Sequence, residues 1–213
     1  MFGPFQKALR NLITLVVVFF LFIGFFKFKD FLLFRQIIHN LKAESRLAEV
    51  LVTDSSVDEY TRKYTTTIKF LEYDVKGQPL KAKFFTFKGN LIQFQTLVVR
   101  FDDKYIEEGH RMKGKSISLF LKAFVLDGKD TQEFEITPMQ IIPNGYRVGN
   151  PPSTFEKEIW RRFWKYALDP EARKRIGIKN AQIEAPGSVF VPGTIYTLII
   201  EHDGGIRIDT RPI

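Results

Sequence analysis

The residues with the most suggestive chemical spacing run from Gly109 to Ser116, Gly-His-Arg-Met-Lys-Gly-Lys-Ser. They fit G-x-x-x-x-G-K-[ST], in which backbone N–H groups cradle phosphates, a lysine reaches the terminal oxygens and a hydroxyl meets Mg²⁺. On that pattern Gly109, Gly114, Lys115 and Ser116 would bind a nucleotide in a membrane-tethered nucleotide-binding protein or enzyme. The surroundings argue against it. An acidic stretch, Asp102 to Glu108, precedes the loop where a buried strand belongs. Bulky side chains occupy its interior, and no strand ends in a well-placed second acid for the metal. The competing reading is a connection between strands whose glycines turn its corners at positive φ.

Other chemistry is sparser. His39, His110 and His202 stand apart, without a metal-ligand neighbour two to four residues on. Glu201-His202-Asp203 would alternate between the faces of a strand, so the three side chains cannot converge. There is no cysteine, which excludes disulfides, thiolate metal sites and a Cys nucleophile. No G-x-S-x-G or H-E-x-x-H is present. The reading assigns no catalytic residue, metal or cofactor, and favours a protein that is not an enzyme.

The chain carries a net charge of +8. Arg161, Arg162, Lys165, Arg173, Lys174 and Arg175 gather in one helical region. For nucleic acid one expects exposed aromatic platforms beside such charge. Here the aromatics share one stripe, as core packing produces, which points away from nucleic acid. The cluster is either a solvated face or a docking face for anionic lipid headgroups.

These residues must be positioned by a chain of 213 residues that opens with an apolar run. Leu12 to Phe26 carries no charge. It is shorter than the roughly 20 residues a bilayer core requires, and the flanks must supply the rest. Lys7, Arg10, Lys27 and Lys29 can snorkel to the headgroups. The next residues, Lys-Phe-Lys-Asp-Phe-Leu-Leu-Phe, include none small enough for a signal-peptide cleavage site. Residues 1–11 are therefore expected to be a tail and 12–34 an uncleaved transmembrane anchor with an interfacial flank. Counting Lys and Arg favours a cytoplasmic C-terminal side. The acid-free tail, and the acids interleaved among the later basic residues, favour the opposite. The reading places the C-terminal domain outside the cytoplasm, on a single-pass protein of the inner or plasma membrane.

Phe31, Phe34, Ile38, Leu41, Ser45, Ala48 and Val52 alternate three and four apart, a coiled-coil seam. This predicts a helical stalk over 35–56, with residues 31–52 a candidate surface for pairing copies of the chain. Thr53-Asp54-Ser55-Ser56 would end it in a turn.

Residues 57–213 read as a mostly antiparallel β domain, a sandwich or barrel. Strands over 65–74, 80–87, 91–102, 115–126, 131–137, 188–191, 194–202 and 206–210 are separated by short turns with Gly77, Gly89, Gly128, Gly193 and Gly204. One amphipathic helix interrupts them. Ser153 and Glu156 form its capping box, Phe155, Ile159, Phe163 and Tyr166 its stripe with Trp160, Trp164 and Ala167 beside it, and Asp169-Pro170 its end. The overall expectation is α+β: anchor, stalk, then β domain. Its partners would be the bilayer and an envelope protein, lipid or glycan. Phe is frequent, at 22 residues. Phe70, Phe84, Phe85, Phe87, Phe94, Phe101, Phe120 and Phe124 in the strands admit a third reading, an apolar groove for acyl chains.

Overall fold

The computed structural model describes residues 11–25, 45–74, 76–101, 116–127, 130–147, 150–173, 178–201 and 205–213. The chain divides into two compact units, Met1–Ile38 and His39–Ile213.

In the first unit, residues 11–25 form helix α1. Its large apolar side chains, from Leu12 to Phe25, are 39% to 68% exposed. Fifteen residues at about 1.5 Å each cover about 22 Å, less than a bilayer core of roughly 30 Å. Among the described residues no helix is long and apolar enough to cross a membrane. The rest of the expected anchor and the first half of the expected stalk lie outside the described residues.

The second unit is built mainly of antiparallel β-sheet, with two helices. Its strands are β1 (Ser45–Val57), β2 (Tyr64–Glu72), β3 (Lys83–Phe87), β4 (Leu91–Phe101), β5 (Ser116–Asp127), β6 (Asp130–Glu135), β7 (Ile178–Glu184), β8 (Gly187–Val189), β9 (Thr194–Ile200) and β10 (Ile206–Pro212). Helices α2 (Thr154–Leu168) and α3 (Pro170–Arg173) come between β6 and β7. The strands form two sheets, in the order β10-β9-β1-β2-β3 and β6-β5-β4-β7, with β8 also paired to β4.

β1 corrects the stalk. Ser45, Ala48 and Val52, the last seam residues, lie in a strand that pairs with both β2 and β9. The same segment also reads with period two, and Ala48, Val50 and Val52 are buried in the core. A central strand gains two ladders of hydrogen bonds and one buried face, which outweighs the helix propensity of Leu-Ala-Glu-Val. The expected turn at 53–56 is part of the strand. It appears there only as a register shift between Val52 and Asp54. The chain reverses later, where Asp58 Oδ1 accepts from Tyr60 N at 3.0 Å and Thr61 N at 2.7 Å.

The main core lies between the sheets. Phe70 stacks on Phe94 with centroids 5.4 Å apart and meets Phe120 edge-on at 5.3 Å. Phe85 and Phe87 pack on Phe134 at 5.3 and 5.1 Å. These rings fill one another's space, which is what ordinary core packing asks of them. Phe84 instead points outward, 62% exposed. At the β3 and β6 edges a side-chain amide ties the two sheets: Gln132 Oε1 accepts from Lys88 N at 2.7 Å and its Nε2 donates to Thr86 O at 3.3 Å. Gly89 turns the chain beside them at φ 146, and a Cβ there would lie 2.8 Å from Val125 Cγ1.

A second core lies on the other face of β4 and β5. Leu97, Val99, Ile117, Leu119 and Leu121 pack with Ile142, Trp160, Trp164 and Ala167. So α2 covers part of the second sheet, and the strands beneath it are buried on both faces. That double burial explains the unbroken apolar runs Thr-Leu-Val-Val and Ile-Ser-Leu-Phe-Leu. β5 serves both cores by alternation, and the shift in its register with β4 near Leu121 brings Ala123 and Val125 to the side of Phe120.

Helix α2 begins as expected. Ser153 is its N-cap, and its Oγ accepts from Glu156 N at 3.0 Å. The most deeply buried residues of its apolar side are Trp160, Trp164 and Ala167, expected beside the stripe. Phe163 and Tyr166 are half-buried at its margin. The two indoles remove more apolar area from water than the phenyl stripe would, which sets the helix's rotation.

Candidate functional site

Ionisable groups shifted by burial meet at one end of the sandwich, around Glu72. Its place follows from strand register. Phe70 pairs with Lys83, so Glu72, two residues on, shares their face and lies diagonal to Lys83. Burial pushes the Glu72 carboxyl up to about 7, while the Lys83 ammonium pulls it back. The ammonium itself donates to Ile136 O.

Ile136 begins a strap, residues 136–146, which leaves β6 and passes Glu72 on its way toward α2. Ile136 N and Thr137 N both donate to Leu121 O, at 2.8 and 3.2 Å. The strap then rises through exposed residues 138–141, with Gln140 in the left-handed region at φ 67. It returns inward through the buried Ile142 and Gly145. A Cβ at Gly145 would lie 3.4 Å from Tyr73 O, in van der Waals contact, so the strap packs closely on the end of β2 here. Trp164 Nε1 donates to Ile141 O at 2.7 Å. Tyr146 rests on Trp160 with centroids 5.6 Å apart, and its hydroxyl donates to Ser118 O at 3.4 Å. Burial pushes the Tyr146 phenol well up, and the nearby Glu72 charge adds to this. Ser118 Oγ is buried and has no hydrogen-bond partner. A carboxyl brought near neutrality beside an ammonium, under a strap, can exchange a proton at ordinary pH.

A second polar group lies on β7. Arg100 pairs with Glu184 at 3.1 Å, and Asn180 Nδ2 donates to Gln182 Oε1 at 2.7 Å. In register these residues share the face of the buried Thr96 and Val98. β7 therefore turns polar residues toward the sheet's inner side. That inverts the usual pattern, and it is why Ile-Lys-Asn-Ala-Gln-Ile-Glu carried no strand signal.

The residues singled out from sequence are scattered. Lys7, Arg10, Lys27, Lys29, His39, Gly109, His110, Gly114, Lys115, Lys174, Arg175 and His202 lie outside the described residues. Ser116 opens β5 in register with Arg100. The chain thus continues as a strand, where a phosphate loop would run into a helix N-terminus. On α2, Arg161, Arg162 and Lys165 are exposed together. Both arginines bond Glu158 at 2.8 Å. These hydrogen bonds hold the Glu158 carboxyl down at about 2. Arg173 ends α3. Among the described residues no group of acids and histidines could hold a metal ion.

Glu72, Lys83 and Tyr146 were not singled out from sequence. The one legible hint was Glu72 continuing the inward alternation of Thr66, Ile68 and Phe70. Compared with models of known protein families, with curated proteins and with solved structures, the chain matches none of them.

Proposed function

We propose that this chain is a single-pass, membrane-anchored binding or scaffold protein of the cell envelope, not an enzyme, with its β domain outside the cytoplasm. The observation that carries the reading is α1: its large apolar side chains are 39% to 68% exposed. Exposed apolar area costs about 25 cal/mol per Å² in water, so a helix greasy on every side belongs in a core or in lipid. The sequence continues apolar beyond it, with Phe28 and Phe31 to Phe34 among basic residues suited to an interface.

The β domain has its own core and closes its sheets at one edge, so it can present surfaces without help from the anchor. A reporter fused after Ile213 tests the orientation. Activity of a periplasmic or extracellular reporter there supports the proposal. Activity of a cytoplasmic one reverses the orientation, and with it the class of partner.

A further inference from the structure

Lys83 is bonded to one acceptor and feels a second. It donates to Ile136 O at the root of the strap, and Glu72 lies diagonal to it on the same sheet face. A charged acceptor forms the stronger bond, so the proton on Glu72 decides which acceptor holds the ammonium. The ends of the strap are held in the two cores by the buried Ile136 and Ile142, and what lies between them is held by little else. Besides the two backbone bonds to Leu121 O, it is tied by Lys83 to Ile136, Trp164 to Ile141 and Tyr146 to Ser118. Its crest, residues 138–141, is exposed and includes the left-handed Gln140.

We infer that strap 136–146 is a proton-operated closure over this end of the sandwich. With Glu72 protonated, Lys83 stays on Ile136 and the strap lies shut over Glu72 and Ser118. With Glu72 ionised, Lys83 turns to the carboxylate and the strap loosens. The charged and titratable groups facing Glu72 are Lys83 from β3 and the Tyr146 phenol from the turn ending the strap. Its β1 partner, Ala48, brings no charge. The phenol keeps its proton throughout the range in which Glu72 titrates, so the switch has one titrating member. What opening would expose is the unpartnered Ser118 hydroxyl and the Glu72 carboxylate.

The chain carries its own reporter. Its tryptophans number two, and both touch the strap: Trp164 through Ile141 and Trp160 through Tyr146. Tryptophan emission of the full chain in detergent is recorded from roughly pH 5 to pH 8. A red shift is expected with its midpoint near pH 7. Glu72→Gln should hold the low-pH emission throughout, and Lys83→Met the high-pH emission throughout. Replacing His39, His110 and His202 together by Gln should leave the shift in place. A flat wild-type titration overturns the inference, as does a shift that survives in Glu72→Gln or Lys83→Met, or one lost with the histidines. If Glu72→Gln fails to fold, Lys83→Met decides.

Discussion

Helices α1 and α2 are equally long in the described structure, fifteen residues each, yet their side chains are arranged in opposite ways. α2 buries Trp160, Trp164 and Ala167 and shows Arg161, Arg162 and Lys165 to water. α1 exposes Leu, Val and Phe on every side. One pattern satisfies a helix lying on a sheet in water, and the other satisfies a helix whose solvent is apolar. If α1 is the proposed membrane anchor, the two helices answer to different surroundings, and substitutions in them should fail in different assays.

Trp164→Ala should have the largest effect on the β domain. It removes a buried indole and its bond to Ile141 O, and should cost about 3–5 kcal/mol in chemical denaturation. It should leave membrane association untouched. Val17→Arg should do the reverse. A charge in an anchor costs on the order of 3 kcal/mol, so less of the chain should remain with membranes, while the domain's denaturation midpoint stays put. Equal loss in both assays from either variant would break the comparison.

The strap adds a pH dependence to the α2 side. The Glu72 carboxyl is raised from its ordinary 4.5 to about 7, so the folded state binds its proton more tightly than the unfolded state does. The contribution of Glu72 to stability is then full below pH 4.5 and is lost as pH rises toward 7, by about 3 kcal/mol at most. Denaturation midpoints across that range should fall in the wild type and stay level in Glu72→Gln. Ser153→Ala should have the smallest effect. Losing the bond from Glu156 N costs about 1 kcal/mol, and it sharpens the comparison by showing how much of α2 rests on its cap rather than on its indoles.

Much of the β domain was legible because its signals are local. The turns at Gly77, Gly89 and Gly193, the Ser153 cap and the Asp169-Pro170 stop each act within a few residues and sit where expected, while Gly128 and Gly204 lie outside the described residues. β1 was not legible, because Ala48 and Val52 satisfy both a helical and an alternating pattern. Only the pairing with β2 and β9 decides between them, and those partners lie far along the chain. β7 escaped for a related reason: its inward residues are polar and meet Arg100 from a distant strand. The Glu72 site was hidden too, since the strap residues that come near it, Gly145 and Tyr146, lie more than seventy positions later. Of the Gly109–Ser116 pattern, whose surroundings already spoke against a phosphate loop, Ser116 alone is described, and it opens a strand.

The central claim is that lipid is the solvent of α1, and alkaline carbonate extraction of membranes tests it most directly. Peripheral proteins are stripped by this treatment while embedded helices are retained. The account predicts that the full chain stays in the pellet and that Val17→Arg moves part of it to the supernatant. Release of the unaltered chain would contradict the claim.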